Sequence, residues 1–281
     1  MLAVLQAAQP QALDLKIGGA WVPWRAFTPG APAATDPLLA GAIRWTDARP
    51  GLRAGSFEVR ASGGVLVNSV AIVEIAPSRY RFSLAAASRF APRTADAWMA
   101  DTAVVAAVNT GLFRKDGSPQ GLVALDGVRL GRRADWLDAA VAIEDGGLRL
   151  LAPPAADSLR GASAFQVLPW LVREGRVALG ATSGLRLSRT HRDRRLTLCT
   201  GADGTVRLLL SNFELFGEPA GTIPVGLTLP EQAIIAAAAG CRDAVALDGG
   251  ISAQLVVRFP GRVRRMPGWR AVPLMMLIRP R

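Results

Sequence analysis

Short apolar runs separated by turn residues dominate the chain from Ser56 onward. SFEVR, VLVNSVAIVEI (Val65–Ile75) and YRFSLAA (Tyr80–Ala86) are divided by Ser-Gly-Gly and Ala-Pro-Ser breaks. Runs of this length, rich in β-branched and aromatic residues and bounded by turn formers, predict strands. A short helix is predicted over 94–100. The stretch AVVAAVNTGLFRKDGSPQGLVALDGVRL (Ala103–Leu130) predicts a buried strand ending at Asn109, a glycine turn, and a hairpin bent at Asp126-Gly127. Further strands follow over 139–177, with turns at Asp145-Gly146-Gly147 and Glu174-Gly175, and with Phe165 and Trp170 as core residues. RLTLCT and TVRLLL predict a hairpin about Ala202-Asp203-Gly204. Before Gly51 the pattern weakens: AWVPWRAF (Ala20–Phe27) is the only strand it predicts. Residues 1–50 therefore read as an N-terminal leader and irregular segment ahead of one domain over 51–281. The fold class is α+β, a single sheet-rich domain with few helices.

One stretch breaks the β pattern. GLTLPEQAIIAAAAGC (Gly226–Cys241) predicts a helix with Thr228 as N-cap and Glu231 completing a capping box; Pro230 is tolerated in the first turn and Gly240 forms the stop. Its body is apolar on every face, so it is expected to be buried. It leads into AVALDGGISAQLVV (Ala244–Val257), where an apolar run halts at Asp248, Gly249 and Gly250 and then resumes. An acidic side chain at the end of a buried strand, beside glycines that permit close approach, is a place for chemistry. An Asp-Gly hairpin joining two strands fits the same letters.

Composition narrows the alternatives. Half of the 281 residues are hydrophobic, yet no apolar run approaches the ~20 residues that span a bilayer. The net charge is +11, carried almost wholly by Arg, and no acidic residue follows Asp248 while seven arginines do. That asymmetry suits an anionic partner. No nucleic-acid module or zinc-finger spacing accompanies it, so no nucleic acid is expected. The two cysteines, Cys199 and Cys241, lack metal or redox spacing and read as buried thiols that pair only in an oxidising compartment. The start, MLAVLQAAQPQA, lacks the basic region and full length of a secretory signal. A single histidine, His191, excludes a site that needs two. There is no phosphate-binding loop, dinucleotide fingerprint, nucleophile elbow or zinc-protease helix.

Three dispersed motifs, in order, resemble the phosphodiester glycosidase family, which includes an enzyme acting on N-acetylglucosamine-1-phosphodiesters. The first is the strand ending Asn109-Thr110-Gly111-Leu112-Phe113, followed by Pro119 and Gly121, with Thr110 where the family often has glycine. The second is Arg189-Thr190 ahead of the 196–210 hairpin, with His191 where a small residue is usual. The third is the Thr228–Glu231 helix leading to Asp248-Gly249-Gly250, with Ile251 in place of a third glycine and Ser252 retained.

The resemblance implies hydrolysis of a sugar-1-phosphodiester or an envelope glycan, in exopolysaccharide or cell-envelope metabolism. It further implies a periplasmic or secreted location, with the cytoplasm left open by the missing signal. Carried onto these residues, the expectation is that Asp248, Arg189 and Asn109 are catalytic. Asp248 would be nucleophile, base or electrostatic stabiliser, and Arg189 would be the planar fork for phosphate oxygens. Gly111, Thr190, His191, Gly249, Gly250 and Ser252 would contact substrate. Glu231 is explained by its capping role, so only one carboxylate is nominated. No cofactor is called for, and Asp248 with Asn109 offers too few ligands to argue for a metal. The rival reading is a non-catalytic glycan-binding or polysaccharide-export protein of the same fold, motivated by the bulk of Ile251.

Overall fold

The computed structural model describes residues 11–179, 188–215, 218–219 and 225–281. Most of the MLAVLQAAQPQA start and the 185–187 lead-in to the Arg189-Thr190 motif lie outside these.

Three antiparallel sheets account for the architecture. The largest carries, in order, Arg176–Val177, Trp170–Arg173, Cys241–Ala246, Leu196–Gly201, Val206–Leu215, Val67–Ile75, Leu52–Ala61, Ala12–Ile17 and Ala20–Ala26. A second, five-stranded sheet is centred on Ser163–Val167. A third holds Arg262–Met266, Leu255–Phe259, Ala106–Asn109, Leu274–Pro280 and Tyr80–Ala86. Alternation along the long strands sorts side chains between two cores. Ala71, Val73, Ile75, Leu208 and Leu210 face the smaller sheets together with Phe165, Trp170 and Val257. Val70, Ile72, Leu209 and Cys199 point the other way, towards a layer that includes the helix Leu229–Ala238. Every residue of that helix is buried, and it packs on Trp170–Arg173 and Cys241–Ala246.

The helix begins as the sequence predicts. The Thr228 side chain accepts the Glu231 N–H, and the Glu231 carboxylate accepts the Thr228 N–H in return. Glu231 is 1% exposed and also receives a two-pronged pair from Arg192 at 2.9 and 2.6 Å. Gly240, at φ +73°, ends the helix.

The structure departs from the sequence pattern at three places. The segment before residue 51 is irregular only in part: Ala12–Ile17, Ala20–Ala26 and Arg44–Arg49 are strands, and Leu13 and Leu15 are fully buried. Ala12–Ile17 pairs directly with Leu52–Ala61, so the domain includes these residues. Asp248 is not the corner of a hairpin, because Cys241–Ala246 and Leu255–Phe259 belong to different sheets. The chain crosses between them through a single turn of 3-10 helix at Gly250–Ser252. Finally, Cys199 and Cys241 are joined by a disulfide between adjacent strands, with a Cα separation of 5.6 Å. Closing a loop of this length is expected to stabilise the fold by about 2–4 kcal/mol. A Cys199→Ala/Cys241→Ala protein should unfold at lower denaturant than wild type, and a reductant should move wild type to the same midpoint without affecting the variant. Among the described residues no helix is long and apolar enough to cross a membrane.

Candidate active site

The crossing point between the first and third sheets is where charged groups are drawn together. Asp248 follows the strand Cys241–Ala246, and its N–H donates to the Thr110 carbonyl at 2.9 Å. That bond ties it to the loop leaving the neighbouring sheet. Asn109 makes a second tie: its amide nitrogen donates to the Asp248 carbonyl at 2.8 Å, and its amide oxygen accepts the Gln254 N–H at 2.8 Å. Asn109 is 1% exposed and spends its side chain on backbone, so here it positions the turn.

The Asp248 carboxyl is pushed up to about 7, first by burial. The Ser252 hydroxyl, which donates to it, and the Arg270 guanidinium act the other way, while the carboxylate of Asp193 adds to the rise. A second acid therefore stands within electrostatic reach. The Asp193 carboxyl is itself raised, again mainly by burial, against the opposing pull of Arg195, the Arg194 N–H and His191. Two carboxyls with unequal surroundings are the arrangement that divides proton carrier from ionised partner.

Asp193 sits in a run of charges, His191-Arg192-Asp193-Arg194-Arg195, of a kind that ordinarily lies in solvent. The structure pins it instead. Arg192 reaches Glu231 and the Gly226 carbonyl; the Asp193 N–H donates to the Leu227 carbonyl at 3.1 Å; Arg195 donates to the Leu227 and His191 carbonyls. Arg194 turns inward and is fully buried, donating to Asn212 Oδ1 at 3.2 and 2.9 Å and to the Pro267 carbonyl at 2.8 Å. Its own N–H donates to Asp193 Oδ1 at 2.8 Å.

The glycines are explained by this crowding. A Cβ at Gly249 would lie 2.7 Å from the Arg194 carbonyl oxygen. At Gly250, φ is +58° and a Cβ would lie 3.0 Å from the Asp193 carboxylate, so any other residue would be strained and would press that carboxylate back. The Gly250 N–H is already donated to the Arg194 carbonyl, and Gly111 is buried against the Gln166 carbonyl.

Arg189 goes elsewhere: its guanidinium donates to the Leu179 carbonyl at 3.3 Å and lies 5.6 Å from the Phe27 ring centre. Thr190 is exposed and pairs with Ser188. His191 is exposed and touches the site only through Asp193 Oδ2, 3.9 Å from its Nε2. The cation beside Asp248 is Arg270, half-buried and held over the Phe113 ring at 4.7 Å. Among the described residues no carboxylate pairs with it. Its fellow arginines after Asp248 disperse: Arg258 donates to Met99 and Val104 carbonyls, Arg265 pairs with Asp96, and Arg279 with Asp101. The acid-free tail carried a signal for Arg270, though not for which arginine mattered. Ile251 is 39% exposed, and its carbonyl accepts the Arg270 N–H at 3.0 Å. Among the described residues no group of three or more His, Cys, Asp or Glu could hold a metal ion.

Two half-buried carboxyls within electrostatic reach of each other, beside a guanidinium without a carboxylate partner among the described residues, define a site for acid–base chemistry on an anionic substrate. The phosphodiester glycosidase family profile matches residues 102–279. The chain belongs to that family. The catalytic domain of zebrafish N-acetylglucosamine-1-phosphodiester alpha-N-acetylglucosaminidase, in a form auto-inhibited by its pro-peptide, is similar at 16% identity and a TM-score of 0.63, covering 90% of this chain and 89% of that one. A hypothetical protein from Synechocystis is similar at 17% identity and a TM-score of 0.56, covering 85% of this chain and 64% of its own. The present chain thus spans about two thirds of that protein. A Burkholderia pseudomallei structure is similar at 14% identity and a TM-score of 0.52, covering 79% of this chain and 77% of that one. At these identities the likeness is one of fold. No curated protein matches the sequence.

Proposed function

We propose that the protein hydrolyses the glycosidic bond of a sugar-1-phosphodiester, releasing free sugar and a phosphomonoester. The observation that carries this reading is the meeting of Asp248, Asp193 and Arg270 where two sheets join. In the reaction the C1–O bond breaks and its electron pair leaves on the phosphate oxygen. Water oxygen bonds to C1 and gives up a proton. A phosphomonoester is a weak base, so the departing oxygen needs little protonation, unlike an alcohol. Charge and position matter more. Arg270 holds phosphate oxygens with a planar fork. Asp193, whose carboxylate accepts the Arg194 N–H at 2.8 Å, faces the positive sugar ring. Asp248, at about 7, accepts the proton from water near neutral pH.

The setting we propose is a periplasmic or secreted one, in envelope or exopolysaccharide metabolism; the Cys199–Cys241 disulfide supports export, since such bonds persist in oxidising compartments. The glycan-binding alternative rested on Ile251, whose side chain stands partly in solvent.

The test is release of sugar and phosphomonoester, in equal amounts, from a panel of sugar-1-phosphodiesters that includes nucleotide sugars. Arg270→Ala should raise KM tenfold or more, as expected for a lost charge-assisted contact of about 1.5–3 kcal/mol. Arg189→Ala should leave it within a factor of about three, inside the usual range for surface changes. The reverse ranking would return the phosphate site to Arg189.

A further inference from the structure

A second feature lies along the loop that leaves Asp248's neighbour Thr110. Phe113, under Arg270, is followed by Arg114, and Arg114 lines a cavity of about 670 Å³ with Arg129, Arg132, Arg133 and Trp136. Ligand pockets commonly span about 300–1,000 Å³. Four arginines line this one and no carboxylate does. Among the described residues Arg132 has no acidic partner, while Arg129 and Arg133 meet Asp157 and Asp135 outside the lining. Trp136 is 42% exposed and offers an apolar indole face at the rim.

The walls are fixed. Gln166, 2% exposed, accepts the Leu122 and Ala134 N–H groups at 2.7 and 2.8 Å and donates to the Ala134 and Leu137 carbonyls at 2.9 and 3.3 Å. Arg114 is aimed by bonds to the Pro119 carbonyl and Ser118 Oγ.

We propose that this cavity is a second binding site, for sugar rings that carry carboxylate or phosphate groups. Forked guanidiniums recognise such anions, and the indole gives a sugar ring a flat apolar partner. A polynucleotide is the poorer match, because single strands are held by a charged groove with successive aromatic platforms and this cavity has one indole. The proposal rests on the proposed glycosidase function for the carbohydrate character of its occupant. It makes the substrate an anionic glycan whose charged segment lies beyond Arg270, on the far end of the 109–121 loop.

The experiment is calorimetric titration of the full chain with tetragalacturonate, with maltotetraose bearing a 6-phosphate, and with plain maltotetraose. At least one anionic oligomer should bind tenfold or more tightly than the neutral one, and which of the two does so identifies the anion. Arg132→Ala/Arg133→Ala, both changes at exposed or partly exposed positions, should weaken that binding at least tenfold while leaving thermal unfolding and turnover of small sugar-1-phosphodiesters unchanged. Trp136→Ala should weaken it several-fold. Asp248→Asn should bind as wild type does, so that loss of turnover and loss of binding report on separate claims. Equal binding of neutral and anionic oligomers, no effect of the double substitution, or tighter binding of a single-stranded oligonucleotide would overturn the proposal.

Discussion

An Asp248→Asn protein is expected to turn over sugar-1-phosphodiesters about a thousandfold more slowly than wild type, the scale of a lost acid–base group, and to be more stable than wild type at pH 8. The two effects share a cause. Burial lifts the carboxyl from 3.8 to about 7, so the folded protein holds a proton that the unfolded chain releases. Below about pH 4 both states are protonated and nothing is lost. As pH rises from there to about 7 the unfolded chain ionises freely and the folded one resists, so stability falls. Above 7 the cost is complete, on the order of 4 kcal/mol. Asparagine keeps the shape without the titration. Urea denaturation at pH 4.5, 6 and 8 should show the variant gaining on wild type with each step. A gap that stays constant, or narrows, would mean that Asp248 ionises in the fold as it does in water.

Asp193→Asn carries the second large effect. The charge of Asp193 is one of the causes that raise Asp248, so its removal should move the Asp248-dependent limb of the pH–rate profile to lower pH. It also removes the ionised group that faces the sugar, and turnover should drop by about a hundredfold or more. A merely structural residue would lower the plateau without moving the limb. Because Gly250 leaves so little room beside this carboxylate, Asn is the substitution to use: it fits the same volume.

Both residues show what a linear sequence can and cannot display. Asp248 was legible because its signal is local: a buried strand, an acid, two glycines, and a capped helix just upstream. Thr228 and Glu231 were legible for the same reason, since a capping box spans four residues. The strands over 67–86 and the hairpin about Gly204 follow from alternation and turn chemistry alone. Asp193 was hidden because its neighbours are His and Arg, and such a run ordinarily lies in solvent. Its half-buried placement depends on Arg192 finding Glu231 and Arg194 finding Asn212, contacts that cross 39 and 18 residues. Arg270 was hidden differently, as one of seven arginines in an acid-free tail whose partners are set by sheet packing. Arg189 carried the motif, yet the fold turns it towards Phe27. The disulfide is a matter of lateral register, Gly201 lying opposite Cys241, which spacing along the chain does not encode. Of the N-terminal strands, Ala20–Ala26 was legible while Ala12–Ile17 and Arg44–Arg49 were not, although ALDLKI alternates apolar and polar residues and its Leu13 and Leu15 fill a core made mainly by other strands.

Which bond breaks decides between a glycosidase and a phosphodiesterase, and hydrolysis in water enriched with oxygen-18 answers that. A wild-type turnover that places the label in the released sugar, with none in the phosphomonoester, is the predicted result, because the carboxyl pair directs water at C1. Label in the phosphate would mean attack at phosphorus, and it would contradict the glycosidase reading whatever the rates.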